Sequence, residues 1–268
     1  MILASPSELA MWLSLLTIIA YVIPALVADR MGPNLTRRYL WLAWLMHAFT
    51  LGLGLWGETP RFGFAPALSV TVWWVLTAYT VESQYFPKFK ARWVMAALGS
   101  VAVALSWYFP GQPLQVSASI WLPLHWALGI ASYGMFAAAV VHAALMTSAE
   151  IEIRKGYENQ SGLPLLTLER LMFRFVLIGF ILLTFTLIAG FVFGEQLYGA
   201  AGVHWKWDHK TVFSVLSWLT FGALLLGRHQ FGWRGRRAVR VLYIGSAFLL
   251  FAYAGSRFVL EVILGRSL

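Results

Sequence analysis

The sequence contains no cysteine. Disulfides, thiolate metal centres, thiol redox chemistry and a CxxCH attachment motif are therefore excluded. Charge is also scarce. Charged residues make up 12% and hydrophobic residues 60%, against about 25% and about 45–50% in soluble domains. The apolar excess runs the whole length and leaves no room for a soluble domain. A glycine-rich phosphate loop, an HExxH pair and a nucleophile–base set are missing too, so nothing points to hydrolysis, phosphate chemistry or nucleophilic catalysis. The chain reads as a non-enzyme. Met1 to Ser7 carries no basic residue ahead of the first apolar run, so that run is expected to be a retained helix and not a cleaved signal.

What the chain does have is apolar runs of spanning length. A transmembrane helix needs about 20 mostly apolar residues. Segments of that kind fall at about 8–28, 38–56, 64–84, 92–109, 119–147, 171–193, 210–227 and 239–263. The expected fold is all-α: a polytopic integral membrane bundle of about eight transmembrane helices, in which 1–268 forms one transmembrane domain. Backbone groups in lipid must be paired within the chain, which favours helices over open strands. Pro60, Pro66, Pro87, Pro110 and Pro113 sit near the predicted boundaries, and Pro24 lies inside the first helix.

The net charge of +9 is topological and does not imply a nucleic-acid partner. Fifteen basic residues, from Arg30 and Arg37 through Arg154 and Arg174 to Arg228 and Arg240, fall in the loops of one side. Only Arg61, Lys206, Lys210, Arg257 and Arg266 fall on the other. Basic loops stay inside. Both termini are then outside, in the periplasm of a bacterium whose inner membrane holds the chain. The longest inside connection, about 148–169, mixes acids and bases and reads as a solvated link.

The outside loop at about 194–209 is chemically dense. Its run HWKWDHK carries His204, Trp205, Trp207, Asp208 and His209. Tryptophans alone would suit an interfacial belt. Two imidazoles beside stacked indoles would also suit a flat iron macrocycle, haem. His125 lies a few residues into the fifth helix from its outer end, at a similar depth. His47 and His142 lie deeper, where an intramembrane histidine commonly bonds a neighbouring helix. His229 sits in a basic inside loop and reads as solvated. Arg257 and Glu261 share a helix face at i,i+4; they form an ion pair, or Arg257 offers its fork to haem propionates.

These residues resemble the tryptophan-rich signature of the cytochrome c assembly proteins of the CcmC/CcsA type, approximately WGxxWxWDPKE followed by an apolar helix with Trp. Gly202, Trp205, Trp207, Asp208, Lys210 and Trp218 occupy matching positions. His125 in WLPLHWALGIASYG matches a histidine that helps to ligate haem in that family. The nearer resemblance is to the YpjD branch, with HemX as a related branch. It rests on HKTVFSVLSW, GRHQFGWRGRRA and AGSRFVLEVIL and extends over nearly the whole chain. Ala201, His209 and Thr211 stand where the signature has Trp, Pro and Glu. Leu226 and Leu264 stand where haem-handling members carry two further histidines. The resemblance implies a haem-binding membrane protein linked to cytochrome c biogenesis. Haem would be held non-covalently, as a b-type group, with His125 and the gained His209 on the iron. His204, Trp205, Trp207, Asp208 and Arg257 would lie around it, with His47 as a lower-ranked ligand. Partners would be the bilayer and other cytochrome c assembly or haem-pathway proteins. The competing reading is a HemX-like membrane regulator or scaffold acting through 148–169. A transporter would need charges along a pathway, and only Glu82, Arg257 and Glu261 fall near helix ends.

Overall fold

The computed structural model describes residues 8–27, 30–56, 61–85, 92–113, 121–157, 162–192 and 209–252. The chain divides into two compact units, Met1–Leu114 and Gln115–Leu268.

The first unit holds α1 (Glu8–Val27), α2 (Pro33–Trp56), α3 (Phe64–Tyr85) and α4 (Arg92–Tyr108). α1 continues as one helix through Pro24. Cross-helix pairs establish that α2 and α3 run antiparallel: Arg37 with Gln84, Trp44 with Thr77, and His47 with Ser69. α1 packs on α2 and α4. Glycine sets the approach to α4, because a Cβ on Gly99 would come within 2.8 Å of the Tyr21 ring. Helices in lipid gain little from hydrophobic exclusion, so close packing at small residues and hydrogen bonds between helices hold them together. At the end opposite Arg37 and Gln84 lies a feature absent from the sequence reading, a two-stranded antiparallel ladder. β1 (Arg61–Phe62) and β2 (Gln112–Pro113) pair Arg61 with Pro113 and Phe62 with Gln112. Gly111 turns into it at φ 81°, tight under the Phe62 carbonyl, where a side chain has no room.

The second unit holds α5 (Trp121–Arg154), α6 (Leu165–Val192), α7 (His209–Phe231) and α8 (Gly235–Leu250). Consecutive helices are antiparallel. Gly129 faces Thr186, and Gly179 faces Phe136, across α5 and α6. Trp218 donates to Thr184 at 2.9 Å between α7 and α6, and Ser217 donates to the Gly245 carbonyl at 2.8 Å between α7 and α8. The centre is a stacked Phe136–Phe221 pair, 3.7 Å between ring centroids and fully buried. α8 passes into a π turn at 251–252.

All eight predicted segments contain a helix, and α1, α3, α5, α6 and α7 are each long and apolar enough to cross a membrane. α6 leaves Leu177, Ile181, Phe185 and Ile188 about half exposed on the chain itself. An apolar surface of that extent needs lipid to cover it. The connection between α5 and α6 is a correction. α5 runs on to Arg154 and α6 begins at Leu165, so the link expected over 148–169 shrinks to 155–164. Ion pairs permit the overrun: Arg154 bonds Glu150 one turn earlier at 2.5 Å, and Glu169 pairs with Arg228 at 3.3 Å. The paired charges extend both helices beyond the apolar segments.

Candidate functional site

Antiparallel packing sorts the chemistry of the second unit to its two ends. One end collects the C-terminus of α5, the N-terminus of α6, the C-terminus of α7 and the N-terminus of α8. It is basic and internally bonded. Glu169, buried, accepts from the Arg228 guanidinium at 3.3 Å and from the Gly235 backbone N–H at 3.4 Å. Arg228 lies over the Phe173 ring at 4.5 Å, Arg237 lies over Trp233 at 4.2 Å, and Glu150 also reaches Arg236 at 3.5 Å. Gly232 and Gly235, at φ 63° and 55°, form the turn that makes this possible.

The other end collects the start of α5, the end of α6 and the start of α7. His125, on α5, packs its ring against Gly190 of α6. A Cβ on Gly190 would meet the imidazole Cε1 at 3.3 Å. The Thr186 backbone carbonyl accepts a hydrogen bond from the ring, while Nδ1 is buried with no partner among the described residues. His209 opens α7 at the same end and is exposed. His204, Trp205, Trp207, Asp208 and Arg257 lie outside the described residues. Trp218 is committed to packing: besides its bond to Thr184 it stacks on Phe180 at 5.5 Å.

His47 belongs to the first unit and is fully buried there. Its Nδ1 pairs with the Tyr21 hydroxyl at 3.3 Å and its Nε2 with the Ser69 hydroxyl at 2.8 Å. Both nitrogens are thus engaged by helices α1 and α3, which gives this imidazole a bridging role between helices. His142 bonds the Ala138 carbonyl one turn back at 2.8 Å and packs on Phe175 at 5.1 Å. His229 is exposed. Among the described residues, no group of three His, Asp or Glu side chains could hold a bare metal ion.

Thr186 and Gly190 were not singled out in the sequence as companions of His125. Nothing in the spacing announces a helix some 60 residues away; a glycine in an otherwise apolar helix signals only that something packs close.

The class these observations define is a multi-pass helical membrane protein with basic residues gathered at one end of a four-helix unit and an underpartnered imidazole at the other. The chain belongs to the cytochrome c assembly protein family, whose match covers residues 32–264. It is 30% identical over 173 residues to the inner membrane protein YpjD of Escherichia coli, covering 63% of this chain and 64% of that protein. It is 24% identical over 235 residues to a cytochrome c biogenesis protein CcsA of Prochlorococcus marinus, covering 75% of this chain and 73% of that protein. A CcsA of Gloeobacter violaceus is 34% identical over 95 residues, covering 35% of this chain and 27% of that protein. The chain therefore spans just under two thirds of the YpjD length it matches. No solved structure matches.

Proposed function

We propose that this chain is a bacterial inner-membrane protein of cytochrome c biogenesis that holds haem at the outer end of its second unit. Family membership and the names of its relatives support the setting. The observation that carries the site is His125. A metal-ligating histidine usually gives its second ring N–H to a carbonyl or carboxylate, which fixes the ring and raises its basicity. His125 has such a bond to Thr186 and, besides, a nitrogen with no partner among the described residues. A buried polar atom without a partner is uncommon in native folds, and an iron ligand is a role that fits it.

His209 is the proposed second ligand, from the same end of the unit. His204, Trp205, Trp207 and Asp208 would supply the stacking shelf and edge contacts, and Arg257 a fork for the propionates. Tyr133 donates to the Leu249 carbonyl at 2.8 Å, tying α5 to α8. Haem here is cargo, bound and oriented by side chains that make or break no covalent bond. Other cytochrome c assembly or haem-pathway proteins are the proposed partners. The regulatory alternative through 148–169 has less support, since Glu150 and Glu169 are paired within the unit.

The test is a pyridine haemochrome spectrum of protein purified in mild detergent from haem-replete cells. Haem is expected in the wild type, with loss in His125→Ala and weakening in His209→Ala. Wild-type protein that neither carries haem nor takes it up on titration would refute the proposal.

A further inference from the structure

We propose that the first unit carries a second, unrelated site: a phosphate-binding pocket at the basic end of α2, α3 and α4. A cavity of about 160 Å³ opens there. Asn34, Arg37, Tyr79, Thr80, Ser83 and Arg92 line it, and no carboxylate does among the described residues. Every polar side chain in that lining carries at least one N–H or O–H.

The two arginines come from different helices, α2 and α4, and neither is ion-paired among the described residues. Each is instead steered by a neutral group. Arg37 donates to the Gln84 side-chain carbonyl, and Arg92 donates to the Tyr79 hydroxyl. A guanidinium fork held this way keeps N–H groups for a tetrahedral oxyanion. The α2 and α4 N-termini also converge here, and their partial positive charge has the same sign. The Ser83 hydroxyl is bonded to the Thr80 carbonyl at 2.8 Å and serves as wall. Glu82, buried on α3, acts electrostatically on Tyr79, so the charge of Arg37, Arg92 and Glu82 together remains positive.

The chemistry recognised is a phosphate group with net negative charge. Leu40 and the partly exposed Trp41 complete the cavity with an apolar flank. Polar donors beside an apolar flank at helix ends match a phospholipid headgroup and its glycerol, and the free anion is the other source of the same chemistry.

The experiment uses the full chain in nanodiscs. Native mass spectrometry after release from discs of phosphatidylglycerol and phosphatidylcholine measures lipid retention. Titration of the detergent-purified chain with inorganic phosphate, followed by 31P NMR, measures the free anion. Expected is retained phosphatidylglycerol, reduced at least about fivefold in the Arg37→Gln/Arg92→Gln variant and unchanged in an Arg234→Gln/Arg240→Gln control. The Arg37→Lys/Arg92→Lys variant, with charge kept and forks lost, should fall between, which separates recognition from folding. Phosphate binding lost in the glutamine variant, without lipid retention, upholds the site and names the free anion as its ligand. Equal loss in the control, or no binding of either probe to wild type, overturns the proposal.

Discussion

A buried histidine with both nitrogens engaged and one with a nitrogen unpartnered differ in what a substitution should do. His47 bridges Tyr21 and Ser69, so Tyr21→Phe strands a buried nitrogen and should destabilise the first unit by about 1–3 kcal/mol. Gly99→Ala should act on the same network, since its Cβ would meet the fully buried Tyr21 ring at 2.8 Å; overpacking of this kind costs about 1–3 kcal/mol. Thermal unfolding in detergent, read by tryptophan fluorescence, would register both, and an unchanged midpoint would contradict the network. Around His125 the expectation is different. Gly190→Val should crowd the imidazole from 3.3 Å and lower haem retention about tenfold, as disturbing a ligand's outer support does. The haemochrome spectrum of that variant, set against its far-UV circular dichroism, separates loss of site from loss of fold.

Among elements, the α7–α8 turn illustrates how a run that looks merely basic becomes structural. In GRHQFGWRGRRA the positive charges suggest topology and little else. In the fold, Gly227 makes room for Trp233, whose N–H donates to the Gly227 carbonyl at 3.1 Å, and Glu169 accepts from Arg228 and Gly235. Glu169→Ala should therefore cost more than its position near a loop suggests, about 1–3 kcal/mol for an acceptor lost from part-buried donors, while Lys155→Ala, exposed just past α5, should change little. Chemical denaturation of the two variants in one detergent provides the comparison; equal effects would mean that the buried carboxylate is not holding the turn. The helices themselves were legible because about 20 apolar residues in a row have few other solutions. The overrun of α5 and α6 was not. The acids that extend them find partners on other helices, and a hydropathy pattern carries no information about such pairs.

For the molecule as a whole, the charge asymmetry predicts orientation. The absence of cysteine makes single-cysteine labelling clean. His209→Cys and His229→Cys sit exposed at opposite ends of α7. A membrane-impermeant maleimide added outside should label the first, and should label the second only after the membrane is opened; the reverse pattern would invert the topology. Composition and hydropathy alone determined that the chain is a helical membrane bundle, and the charge asymmetry set the expectation of which loops face inward, because the cost of placing charge in hydrocarbon is local and additive along the sequence. The motifs alone also pointed to the family. Only the tertiary structure decided which histidine is engaged by its neighbours and which retains a nitrogen unpartnered among the described residues, because that depends on what other helices bring alongside: Tyr21 and Ser69 to His47, Thr186 and Gly190 to His125. Contacts between residues tens of positions apart follow from packing, and no local pattern in the chain encodes them.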